Sequence, residues 1–168
     1  IQDLECDEIN MLVSSGAAFQ LMIWPPANHL FDKVVDFVSD MAQIVNVEKN
    51  IDIKNFKDFS YDVYRKDGIA DWKVARKIQY MSEFDSKVSM ISLIVDDPKY
   101  RKNLTNGVFL SDTVAEIKAS VRDKFRHEFK DYFGDFICHS GDNPQMNREI
   151  LNVIDTYRIC LIEKDGSK

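Results

Sequence analysis

His139 is the residue of this sequence best placed to do chemistry. It lies in ICHSGDNPQMNREI, residues 137–150, after an apolar lead-in and ahead of Asp142 and Glu149, with Arg126 upstream. A neutral imidazole is a nucleophile toward a terminal phosphate. A carboxylate can hold its other nitrogen and fix the tautomer, and an arginine can neutralise charge on a phosphoryl group in flight. In that scheme His139 attacks, Glu149 orients it and Arg126 steadies the transferring group. The competing reading is structural: a histidine at a strand end, with Asp142 and Asn143 capping the helix that follows. Cys138 does not extend the constellation, because adjacent strand residues point to opposite faces.

The elements that must position these residues are read from periodicity, since only 6 glycines and 4 prolines punctuate the chain. FQLMIW, residues 19–24, is a short apolar run stopped by Pro25 and Pro26, which predicts a buried strand. Leu30, Phe31, Val34, Val35, Phe37 and Val38 recur at helical spacing, and AQIVNV, 42–47, alternates as a strand. Residues 55–84 keep a helical pattern broken near Lys66, Asp67 and Gly68, which predicts two helices in a hairpin. VSMISLIV, 88–95, is the clearest strand, followed by a polar loop. Thr113 with Glu116 forms a capping-box pattern ahead of a helix whose apolar face is Val114, Ile117, Val121 and Phe125. Strands at 133–138 and 158–162 and a helix at 146–157 complete the reading. The irregular alternation, with two-helix stretches between strands, predicts an α+β fold, ferredoxin-like in outline, with helices covering one face of the sheet.

The 168 residues suit one domain, here an N-terminal extension at 1–18 followed by a domain at 19–168. Hydrophobic residues at 45% and charged residues at 30% are a globular balance. A net charge of -6 opposes nucleic-acid binding, and the basic run KYRKN lacks the aromatic array of a single-strand binder. No apolar run approaches the roughly 20 residues of a membrane span. Cys6, Cys138 and Cys160 are odd in number and lack CxxC spacing, which fits a reducing, cytoplasmic setting. The chain starts with Ile, and its acidic first residues do not read as a secretory leader. It reads as a domain cut from a longer chain with neighbouring domains.

With Arg126-His127-Glu128-Phe129 upstream, His139-Ser140-Gly141-Asp142 next and Glu149-Ile150 beyond, the sequence resembles the nucleoside diphosphate kinase family. In that family a phosphorylated histidine follows R-G-D-F and a short strand, and lies in H-G-S-D ahead of a helix bearing E-I. MIWPP and the helix after it are similar to the family's first strand, proline and first helix, so the resemblance spans residues 19–155. It implies phosphoryl transfer through His139, with magnesium carried on a nucleoside triphosphate, and homo-oligomers are usual in the family. Tyr61 is similar in position to a tyrosine near the family's histidine, and Trp72 to an aromatic that stacks on the base. Each also reads as helix packing. Thr113 is a phosphate-facing candidate or a helix cap.

The sequence departs from the family in the spacing of Glu149-Ile150, which sits one residue closer, in a continuous helix from 113 onward where the family has a proline-bearing loop ahead of the arginine motif, and at two single positions. Ile23-Trp24-Pro25 stands where the family has Ile-Lys-Pro, and Phe136 stands where it carries an asparagine that contacts the nucleotide. Arg122, Lys99, Arg101, Lys102 and Arg148 are the cations available to replace the lost charge, with Arg122 the chosen ligand contact. Two functions remain: a nucleotide- or phosphate-binding domain that transfers phosphoryl through a histidine, or a non-catalytic interaction or regulatory module of the same fold.

Overall fold

The computed structural model describes residues 18–65, 67–105 and 107–160. β1 (Ala18–Ile23) is buried along its whole length, as its apolar sequence requires. It stops before Pro25 and Pro26, which open a 3-10 helix, Pro25–Leu30, running into α1 (Phe31–Ser39). β2 (Gln43–Asp52) extends well past the expected end at Val47. Two register shifts, between Ile44 and Asn46 and between Glu48 and Ile51, break its alternation and so hide its second half in the sequence. The helical hairpin is α2 (Phe56–Tyr64) and α3 (Asp71–Met81), and β3 (Lys87–Ile94) follows.

Three local expectations change. The polar loop after β3 contains an antiparallel hairpin, β4 (Tyr100–Lys102) and β5 (Phe109–Ser111), whose strands are too short and exposed to leave a pattern. α4 (Asp112–Phe125) is capped by Ser111, whose hydroxyl accepts from the Val114 N–H at 3.2 Å, and not by Thr113. The strand expected at 133–138 sits later, as β6 (Cys138–Ser140). Phe136 and Ile137 fill the core outside any ladder, with the Ile137 carbonyl accepting from the Trp24 N–H at 3.0 Å. α5 (Pro144–Tyr157) has Asn143 as its cap, accepting from the Met146 N–H at 3.0 Å, and Pro144 in its first turn. Arg158 makes a single bridge to Ile53. The rest of the expected last strand, beyond Cys160, and residues 1–17 of the expected extension lie outside the described residues.

The main sheet runs β2-β3-β1-β6 with every neighbouring pair antiparallel. With α1 after β1 and α4 before β6, this is the β-α-β-β-α-β ferredoxin-like order, elaborated by the α2–α3 hairpin between β2 and β3. Leu21, Ile23, Ile91, Leu93 and Cys138 pack against α1 and α4 on one face. The other face is covered too: Met22, Val88 and Met90 pack with Phe59 of α2, Ile78 of α3 and Ile150 of α5. α5 is pinned to β1 by Asn147, fully buried, whose Oδ1 accepts from the Gln20 N–H at 2.9 Å. Gly141 permits this approach, because a Cβ there would stand 2.6 Å from the Asn147 nitrogen. The histidine is therefore carried on a short strand with a tightly docked helix right behind it. Among the described residues no helix is long and apolar enough to cross a membrane.

Candidate functional site

β6 aims His139. It pairs with Met22 of β1, while Cys138 pairs with Ile23, so the imidazole points toward the α2–α3–α5 side and the thiol toward α1 and α4. His139 is 7% exposed. The Tyr64 ring meets it edge-on at 5.3 Å between centroids, and the Trp24 ring lies 6.3 Å away. Trp24 stacks on Tyr64 at 5.5 Å, so two aromatic side chains fix the imidazole from behind.

Two cavities flank the imidazole, and His139, Asp67 and Met146 line both. The first, about 250 Å³, has Lys77 from α3, Lys118 and Arg122 from α4, and the Tyr64 ring in its walls, with Asp67, Asp135 and Asp142 among them. Lys118 and Arg122 are one helical turn apart on α4 and so share a face. Lys118 Nζ pairs with Asp142 at 3.1 Å. Arg122 donates to the Cys138 carbonyl at 3.1 Å and stands 3.6 Å from Asp135. The Arg122 Nε and the Tyr64 hydroxyl are buried with no hydrogen-bond partner among the described residues. A buried polar atom left this way costs about 1–3 kcal/mol, which a bound ligand or water would recover. Lys77 is nearly buried, with Nζ 4.8 Å from the centre of the Tyr64 ring.

Burial and these cations set the protonation states. Desolvation, with Lys118, Arg122 and Lys77 adding repulsion, pushes the His139 imidazole down to about 3, so it is neutral at physiological pH. Desolvation, with the negative Asp142 nearby, raises Asp67 to about 6. Its Oδ2 lies 3.8 Å from His139 Nδ1, too far for a hydrogen bond but close enough to favour a proton on that nitrogen. Burial lowers Lys77 from its ordinary value and, with Asp67, raises the Tyr64 hydroxyl, which stays a neutral phenol.

The second cavity, about 240 Å³, lies between α2 and α5 and has an apolar floor of Val63, Ile150 and Val153 with Asp62, Arg65 and Glu149 around it. Glu149 thus shares a cavity with His139, with the Gln145 side-chain amide 3.5 Å from its Oε1. Asp62 is engaged by Arg65 and by the Tyr157 hydroxyl.

The remaining sequence-predicted residues lie elsewhere, with one exception. Arg126 sits in the 3-10 turn after α4, where the chain leaves the helix axis. It pairs with Asp123 at 3.5 Å, lies over the Tyr132 ring and lines neither cavity. Arg122, the exception, is in the first cavity. Tyr61 is partly exposed on α2 and lines neither cavity, the place beside the imidazole being taken by Tyr64. Trp72 is 64% exposed, next to Lys73. The Thr113 hydroxyl donates to the Asp97 carbonyl at 2.5 Å, away from both cavities. Trp24 and Phe136 are fully buried, the latter among Tyr80, Phe129, Tyr132 and Phe133.

Sequence reasoning missed Lys77, Lys118, Tyr64 and Asp67. Lys77 did leave a signal, since it falls on the stripe of Val74, Ile78 and Met81 where an apolar residue is expected. Lys118 precedes Arg122 by four positions, the spacing of a shared face. Tyr64 continues the stripe of Phe56, Phe59 and Val63. Asp67 is in a connection and carries no such mark. No protein-family model matches the sequence, and no curated protein matches it either.

Proposed function

We propose that the first cavity binds the phosphate of a nucleotide or other phosphorylated ligand, and that His139 accepts a phosphoryl group from it. The observation that carries this reading is the convergence of Lys77, Lys118 and Arg122 on a buried neutral imidazole, beside a Tyr64 hydroxyl and an Arg122 Nε that lack hydrogen-bond partners among the described residues. Arg122 and Lys118 take the place that the resemblance gave to Arg126 and to the missing lysine. A cavity of about 250 Å³ is below the ~300–1,000 Å³ of pockets that enclose a drug-sized ligand, so it suits phosphate groups with the rest of a nucleotide outside.

The chemistry follows from the protonation states. With Nδ1 protonated toward Asp67, the Nε2 lone pair forms the N–P bond as the bond from the terminal phosphorus to its bridging oxygen breaks, and the leaving group departs with that electron pair. The Nδ1 proton then passes toward the Asp67 carboxylate. Lys77, Lys118 and Arg122 stabilise the phosphoryl charge in a water-poor setting. Magnesium, held by the nucleotide's own phosphate oxygens, would neutralise part of their charge. Among the described residues no group of three or more His, Cys, Asp or Glu is arranged to cage a metal ion.

A non-catalytic module of the same fold is the second reading, and the burial of Trp24 and Phe136 in the core favours it, because neither can grip phosphate or nucleotide. Incubation with γ-labelled ATP and magnesium separates the two. Transfer predicts acid-labile, alkali-stable label on the protein that is lost in His139→Ala. Phosphate binding with no label from ATP, GTP or another phosphodonor rules transfer out. The free, buried thiol of Cys138 is compatible with the reducing, cytoplasmic setting in which such donors are found.

A further inference from the structure

The three cations of the first cavity are not held alike. Lys118 is paired with Asp142, and Arg122 with the Cys138 carbonyl and Asp135. Lys77 is 9% exposed and, among the described residues, makes neither an ion pair nor a hydrogen bond; its Nζ lies 4.8 Å from the centre of the Tyr64 ring. Gly134, at φ +56°, lies against its stem, where a Cβ would stand 3.1 Å from Lys77 Cε. An ammonium buried without a paired carboxylate is costly, and the group answers by giving up its proton. Desolvation lowers Lys77 from its ordinary value, Arg122 adds to this, and Asp135 and Asp67, which pull the other way, do not reverse it. A desolvated amine beside another cation is a nucleophile toward a carbonyl carbon. Charged, Lys77 adds to the grip on phosphate; uncharged, it can attack.

We infer that Lys77 captures a phosphorylated aldehyde covalently, holding it as an imine while Lys118 and Arg122 hold its phosphate. This rests on the phosphate-binding half of the reading above and not on transfer to His139. The cavity, about 250 Å³, leaves room for a short carbon chain beside the phosphate. The Tyr64 ring and the Gly134 backbone crowd the amine, so the least hindered carbonyl, an aldehyde, is the one that reaches it. The Nζ lone pair forms the bond to the carbonyl carbon as the C=O π pair moves to oxygen, which takes a proton from the nitrogen. That oxygen takes a second proton from solvent, the nitrogen lone pair forms the C=N bond, and the C–O bond breaks with its electron pair as water leaves. The product is a protonated imine, whose positive charge faces the bound phosphate.

Glycolaldehyde phosphate, compared with glycolaldehyde, tests this on the intact chain. Imines are reduced with borohydride to stable secondary amines, and peptide mass spectrometry locates the labelled lysines. The phosphorylated aldehyde is expected to label Lys77 about tenfold or more over the exposed Lys33 and Lys57, and about tenfold or more over the label that glycolaldehyde leaves on Lys77. Inorganic phosphate is expected to protect Lys77, a check that needs no variant. Arg122→Ala, shown to be folded by thermal unfolding, is expected to lower the Lys77 label from the phosphorylated aldehyde about tenfold and to leave that from glycolaldehyde unchanged. Label spread evenly over Lys33, Lys57 and Lys77 overturns the inference, as does Lys77 label that is indifferent both to the phosphate of the aldehyde and to inorganic phosphate. His139 imidazole resonances that move with inorganic phosphate, while Lys77 takes no preferential label, overturn it alone. No response to phosphate together with no preference for the phosphorylated aldehyde overturns the phosphate-binding reading as well.

Discussion

One cavity beside His139 draws Lys77, Lys118 and Arg122 from α3 and α4, while the other draws Glu149 and an apolar floor from α2 and α5. The same imidazole forms part of both. The difference shows how a ferredoxin-like sheet can give a single strand-end residue two chemical surroundings. β6 fixes the histidine, and each flanking helix contributes the side chains on its own face. The cations of the first cavity are therefore a property of helix faces and not of the short motif around the histidine.

The largest expected effect tests what the two sides share. Trp24 is fully buried against Phe56, Phe59 and Tyr64 and stands behind the imidazole. Trp24→Ala is expected to cost ~3–5 kcal/mol in urea unfolding and to blur the distinction between the cavities by freeing Tyr64. An unchanged midpoint would show that Trp24 does not support the site.

The next effect concerns pH. His139 has its folded value depressed from 6.5 to about 3, so its contribution to stability is present above 6.5 and is lost as pH falls toward 3. Asp67 has its folded value raised from 3.8 to about 6, so its contribution is present below 3.8 and is lost as pH rises through 6. Between these limits the two oppose each other, each at up to ~1.4 kcal/mol per pH unit. Relative to the parent protein, His139→Gln should gain stability on acidification from pH 6 to pH 4, and Asp67→Asn should lose it faster. Urea midpoints across that range measure both slopes. Parallel slopes in all three proteins would contradict the buried, oppositely shifted pair.

The smallest effect is a control. Trp72 is exposed and lines neither cavity, so Trp72→Ala should change stability by less than about 0.5 kcal/mol and leave ligand binding alone. A marked loss of nucleotide binding would restore the base-stacking role that the resemblance implied.

Much of the frame could be read from the sequence, because β1 and β3 are apolar runs and α1 and α4 carry regular stripes such as Val114, Ile117, Val121 and Phe125. β4 and β5 were illegible: three exposed residues bury too little to impose a pattern. β6 was misplaced because Phe136 and Ile137 look like strand residues but are buried by aromatic and core packing. At the site, His139 and Glu149 were legible as residue types around a strand end, and Arg122 as a spare cation on the preceding helix. The choice between Arg122 and Arg126 was not, since it depends on where α4 ends and on which helical face β6 lies against. Lys77 and Tyr64 depend on how the α2–α3 hairpin folds back over the sheet, which no local pattern encodes.

The central claim is that a cationic cavity built from α3 and α4 holds phosphate beside His139. Phosphate titration monitored through the His139 imidazole resonances, in Arg122→Ala and Arg126→Ala side by side, tests it most directly. Loss of a charge-assisted contact worth ~1.5–3 kcal/mol predicts affinity weakened roughly tenfold to a hundredfold in Arg122→Ala, with Arg126→Ala indistinguishable from the parent protein. Equal losses in both, or a loss confined to Arg126→Ala, would contradict the account.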